Sequence, residues 1–142
     1  SVDLDGSVFE TQYNLAVAYT KAEDYSNAIK TYAAAIKLNP DFADAYYSLA
    51  VCEENLAKDI ISGAVKVNDD GTIEKVEEID NEAEEVKVVL SDRAKETLGK
   101  LLNDAISDYG LYQDKSNEPD DRAFVDRKVK ELQQLLAENA VK

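Results

Sequence analysis

Carboxylates are the most abundant reactive groups of this chain, 30 of them, yet the groups that would turn them into a catalytic machine are missing. Histidine is absent from all 142 residues, which removes the usual general base, proton shuttle and commonest metal ligand together. Cys52 is the only cysteine, so neither a zinc site of nitrogen and sulfur ligands nor a cysteine–histidine nucleophile can be assembled. It also excludes an internal disulfide and leaves the redox compartment unmarked. The glycines stand apart at 6, 63, 71, 99 and 110, with no cluster to cradle a phosphate. Gly99-Lys100 has the look of a P-loop end, but Ala94 stands where the earlier glycine is required and Leu101 replaces the Ser/Thr. No pair of carboxylates is singled out as acid and base. The expectation is a protein that is not an enzyme and takes no cofactor.

Charge narrows the partners. Against the 30 acidic residues stand 16 basic ones, a formal −14. Such a field repels phosphate backbones and anionic lipid, so nucleic acid and membrane surfaces are poor partners and a basic protein surface is a better one. The same charge also serves plain solubility. Apolar stretches such as Leu49-Ala50-Val51-Cys52 are far too short to span a bilayer. No methionine occurs, even at position 1, so a processed or excised N-terminus is expected; the compartment and the oligomeric state stay open.

The elements that position these groups read as helices. Residues 1–8 are polar and unpatterned, which suggests a strap. From Phe9 a helical period begins, with Tyr13, Ala16, Tyr19 and Thr20 at three- and four-residue intervals. Glu23-Asp24 breaks it, and Asp24 suits the N-cap of a second helix that carries Ala28, Ile29, Tyr32, Ala35 and Ile36 on one face. Asn39-Pro40 ends that helix, because proline disfavours helical geometry in the residue before it. A third helix opens near Asp41 and runs through Ala45, Tyr46, Leu49, Ala50, Cys52 and Glu53 to about Lys58.

Two antiparallel helices in some 34 residues form a helical repeat unit, and residues 9–42 resemble the tetratricopeptide repeat. Its pattern is met by Leu15, Ala16, Tyr19, Ala28, Tyr32, Ala35 and Pro40, with Gln12 departing where the family prefers tryptophan. Small Ala16 and Ala28 let the two helices approach, while Tyr19 and Tyr32 fill the space beside them. Shifted by one repeat, Tyr46, Tyr47, Leu49 and Ala50 match Gln12, Tyr13, Leu15 and Ala16; then Glu53 takes the place of Tyr19. The second repeat, 43–113, is therefore divergent and carries an acidic insertion at about 59–80. Within it Val65, Val67, Ile73 and Val76 flank Asn68-Asp69-Asp70-Gly71 as in a short hairpin. Helical period returns from about Asn81 through Val86, Leu90, Ala94, Leu98, Leu101, Ala105, Ile106, Tyr109 and Tyr112, with a bend at Gly99 or a break at Ser91-Asp92 as alternatives. After Ser116-Asn117-Glu118-Pro119 a last helix, 118–139, bears the stripe Val125, Val129, Leu132 and Leu136. A terminal repeat leaves an apolar face uncovered, so this helix is expected to cap the stack rather than hang free for a partner. The fold class is all-α: antiparallel helix-turn-helix repeats with a C-terminal capping helix.

The resemblance implies a concave groove lined by the first helix of each repeat, receiving an extended peptide or a partner helix. By position its lining is Tyr13, Asn14, Val17 and Lys21 from repeat one, and Tyr47, Ser48, Val51, Glu54 and Asn55 from repeat two. Alternatively the long helix or the cap fills the groove and these residues pack. The family's clamp for a C-terminal carboxylate is missing, since Tyr13, Val17 and Ser48 occupy its lysine and asparagine positions.

Residues 69–85 hold nine acids (Asp69, Asp70, Glu74, Glu77, Glu78, Asp80, Glu82, Glu84, Glu85) against Lys75 alone, a net −8. Asn68, Asp70, Gly71, Ile73 and Glu77 fall at calcium-loop spacing, but Lys66 holds the place of the first aspartate, so a solvated acidic loop is expected. The function expected is a protein-interaction scaffold or adaptor binding a protein or peptide with a basic surface. Its rivals are a structural subunit using its helical faces for assembly and, more remotely, a metal-responsive regulator.

Overall fold

The computed structural model describes residues 2–77 and 88–139. In chain order the elements are α1 (Val2–Lys21), α2 (Tyr25–Leu38), α3 (Ala43–Ser62), β1 (Val65–Val67), β2 (Ile73–Lys75), α4 (Asp92–Ser116) and α5 (Asp121–Glu138). Each helix packs on the next in sequence, α1 on α2, α2 on α3, α3 on α4 and α4 on α5, as stacked antiparallel pairs do. Among the described residues the fold is all-α apart from the two-stranded hairpin.

The first two helices meet where the alanines let them. Ala16, Ala28 and Ala35 are fully buried, and Tyr32 lies beside Leu49 and Cys52 of α3 in the same core. The turn between them puts Glu23 in the left-handed region at φ 58°. Asp24 then caps α2: its Oδ1 accepts from the Asn27 amide at 3.4 Å and its Oδ2 from Asn27 Nδ2 at 2.8 Å. Past α2, the Tyr46 hydroxyl donates to the Pro40 carbonyl at 2.7 Å, tying the α2–α3 turn to the helix that follows it.

α3 runs four residues beyond its expected end at Lys58 and stops at Gly63, whose φ of 82° needs a residue without a Cβ; a Cβ there would also stand 2.9 Å from Val88 Cγ2. The expected hairpin forms, antiparallel with Val65 opposite Lys75 and Val67 opposite Ile73. Val65 and Val67 turn into the core and Lys66 turns out. Asp70 Oδ1 accepts from both the amide (2.9 Å) and hydroxyl (2.6 Å) of Thr72, so the loop spends its polar groups on its own turn.

Three sequence expectations need correction. The N-terminal strap is instead helix: α1 starts at Val2, because a segment without an apolar stripe can still extend a helix already nucleated. The long helix starts at Asp92, at the alternative break, and not near Asn81; Ser91 caps it, its Oγ accepting from the Ala94 amide at 3.1 Å, and Leu90 packs on the core from outside the helix. The last helix starts at Asp121, with Pro119 in the turn before it, because Asn117 closes α4 in the left-handed region at φ 54° and helix resumes only after the turn. Asn81, Val86 and five of the acids (Glu78, Asp80, Glu82, Glu84 and Glu85) lie outside the described residues.

α5 lies against the α3–α4 pair. Val125 and Leu132 are buried there, Val129 and Leu136 are half-buried against the same core, and the opposite face shows Asp126, Arg127, Lys130 and Gln133 to solvent. It occupies the place of the expected cap.

Candidate functional site

The nine groove positions fall on α1 and α3, and the structure divides them. On α1, Asn14 and Lys21 are exposed, while Tyr13 and Val17 are half-buried against the first core. Tyr13 is held by aromatic neighbours: Phe9 stacks at 5.8 Å, and Tyr32 and Phe42 meet it edge-on at 5.7 and 5.3 Å. Its ring is a fixed wall and not a mobile arm. Ser48 of α3 is half-buried.

The α3 half is a different surface. The ring of Tyr47 is surrounded by Tyr112 at 5.2 Å, Phe124 at 6.0 Å and Tyr109 at 6.1 Å, contributed by α4 and α5. Val51 is half-buried against the second core, and Asn55 borders a shallow cavity of about 440 Å³ beside Tyr25, Asp59 and Lys75. Glu54 is only 3% exposed. Its Oε1 accepts from the Tyr109 hydroxyl at 2.7 Å, and its Oε2 faces Lys58 Nζ at 2.8 Å and Lys128 Nζ at 3.2 Å. Burial works to raise the Glu54 pKa, but the hydrogen bonds from Lys58 and Tyr109 and the charge of Lys128 outweigh it and hold the carboxyl below its ordinary range. Tyr109 is displaced upward by burial and by the bond to Glu54. The expectation that Glu54 lines an open groove is thus corrected: α5 brings Phe124 and Lys128 onto this half, and Glu54 is their internal anchor.

Sequence reasoning missed that anchor because its partners lie 55 and 74 residues along the chain. It noticed the neighbouring oddity, Glu53 at a position where the repeat prefers tyrosine, without a use for it. Glu53 is 4% exposed, its Oε1 has no hydrogen-bond partner among the described residues, and its carboxyl is close enough to Asp108 of α4 to feel it. Burial first, then the neighbouring Asp108 and Asp104 carboxyls, push the Glu53 pKa well up, and burial raises that of Asp108 as well.

Among the described residues no group of three or more Cys, Asp or Glu is arranged to hold a metal ion, and no helix is long and apolar enough to cross a membrane. Cys52 is buried, its Sγ 3.4 Å from Thr20 Oγ1, and burial raises its pKa, so the thiol packs as a small apolar group.

A family model described as "TPR repeat" matches residues 18–52, which span the end of α1, all of α2 and the first half of α3. No curated protein matches the chain. The matched stretch contains the alanine-lined approach of α1 to α2, the Pro40 turn and the packing of α3 upon α2. Residues 18–52 of this chain are accordingly a tetratricopeptide repeat, set in an all-α array of stacked helical pairs.

Proposed function

We propose that this chain is a non-catalytic adaptor that binds an extended peptide or a helix of a partner protein along α1 and the adjoining edge of α3. The observation that carries the reading is the tetratricopeptide segment at 18–52, since repeats of this kind serve as protein-binding modules. Support comes from the composition of the strip: Asn14 offers an exposed amide to a ligand backbone, beside the fixed ring of Tyr13 and the half-buried Val17. Glu54 is sealed beneath α5 whereas Tyr47 stays partly exposed, which favours the α1 side for the peptide. A formal −14 favours a partner with a basic surface.

The test is binding of a partner captured from the native host, compared between the native chain and Asn14→Ala. Losing one hydrogen bond to a ligand should weaken binding about threefold to tenfold. A partner held equally by both proteins, and released by Phe124→Ala, would move the site to α5.

One observation favours a second reading, assembly through α1. Val8 and Leu15 are 45% and 43% exposed on the face of α1 turned away from α2, an apolar strip suited to another helix. Light scattering separates the two: a monomer at all concentrations favours the adaptor, and a defined oligomer dispersed by Leu15→Glu favours the structural subunit.

A further inference from the structure

Glu53 floors a pocket of about 320 Å³ between α2, α3 and α4. Ile29 of α2 and Thr97 and Leu101 of α4 give it apolar walls, and Asp104 stands at its side. Every charged group that faces it from the packed elements comes from α3 or α4: Glu53, Arg93, Glu96, Lys100, Asp104 and, behind Glu53, Asp108. The two cations are already engaged, Lys100 Nζ with Asp104 Oδ2 at 2.7 Å and Arg93 Nη1 with Glu96 Oε2 at 3.7 Å. That leaves Glu53 and Asp108 with no paired cation among the described residues, and Glu53 Oε1 with no partner of any kind.

A buried acceptor left unmatched costs about 1–3 kcal/mol, and a buried carboxyl beside other acids keeps its proton more readily than a free one. A cation that reached it would satisfy the free oxygen and replace that proton. A metal ion does not fit, because the donors are not grouped for one. A guanidinium does: it is flat, weakly hydrated, tolerates apolar walls, and spreads donors over two carboxylates at once.

We propose that this pocket is a binding site for the guanidinium of an arginine presented by a partner protein, donating to the Glu53 carboxyl, with that carboxyl's proton released to solvent as it enters. The proposal rests on the reading of the chain as a protein-binding module but not on the groove. Glu53 stands two residues from both Val51 and Asn55, about 200° around α3 from either. Asn14→Ala and Glu53→Gln therefore test separate surfaces.

The experiment titrates the full chain with N-acetyl-arginine amide, by calorimetry and by NMR, at about pH 6 and about pH 9. Because one proton leaves for each guanidinium bound, affinity should rise with pH, by at most about tenfold per unit, and the heat should depend on the buffer's ionisation enthalpy. Glu53→Gln substitutes a neutral amide for a neutral carboxyl, so it should keep the native far-ultraviolet spectrum and lose the binding. N-acetyl-lysine amide should bind more weakly. Should Glu53→Gln fail to fold, Asp108→Asn serves: burial still keeps a proton on Glu53, but with one neighbouring carboxylate gone the affinity for the cation should fall. The proposal is overturned by equal binding to the native chain and Glu53→Gln, by affinity that ignores pH, by lysine amide binding as well as arginine amide, or by the absence of saturable shifts at residues lining the pocket.

Discussion

Glu53 and Glu54 are adjacent in sequence and opposite in state. Glu54 is matched by two lysines and a tyrosine and stays ionised; Glu53 meets other acids and holds a proton. The pH dependence follows from the sign. Glu53 binds a proton in the folded state at pH values where the unfolded chain, near its ordinary 4.5, has released it. Stability therefore falls as pH rises above that value, by at most about 1.4 kcal/mol per unit from this site. Glu53→Gln should flatten that slope in urea melts across the range; an unchanged slope would place the proton elsewhere. Glu54 works the other way, losing its contribution as acid protonates it. Lys128→Ala leaves Lys58 and Tyr109 in place, so its cost should be about 1–3 kcal/mol, read from urea melts at neutral pH; no loss would mean that Lys128 contributes nothing to the α3–α5 contact.

At the scale of elements, Ala28 sets the distance between α1 and α2. Ala28→Leu should destabilise by about 1–3 kcal/mol, since a fully buried position has no room for three more carbons. Unchanged urea melts would mean that the two helices do not pack there. α5 is a larger unit. Its four apolar side chains represent about 6–12 kcal/mol of gross transfer free energy, so a chain cut after Asn117 should aggregate or melt far below the full chain. A monomer with an unchanged melting point would dismiss the cap. The α1–α2–α3 unit was legible because alternation of small and large residues at fixed spacing has few other solutions. The hairpin was legible because Asn-Asp-Asp-Gly needs a turn. The start of α4 was legible only as the alternative break at Ser91-Asp92, because Leu90 keeps helical period with Ala94 and Leu98 while lying outside the helix; periodicity reports burial, and burial does not require helix. The fate of the groove was legible only as an alternative: Glu54 is closed in through Tyr109 and Lys128 while Tyr47 stays partly exposed beside Phe124, and no local pattern announces a contact with a helix so distant in the chain.

For the whole molecule, the formal −14 makes any basic partner's association sensitive to ionic strength. Raising salt from about 0.05 to about 0.5 M should slow binding and weaken it, as screening shortens the reach of the field. Affinity that stays flat would assign recognition to the apolar strip of α1 alone. The two faces of the helical stack are also unequal. α5 turns Asp126, Arg127, Lys130 and Gln133 outward, whereas α1 turns Val8 and Leu15 outward. As an engineering part the molecule is therefore directional. A designed helical pair grafted ahead of Val2 has greasy surface to land on and should melt with the rest in a single calorimetric transition. The same pair grafted after Glu138 meets charge and should melt on its own, unless the outer face of α5 is first rewritten with leucines.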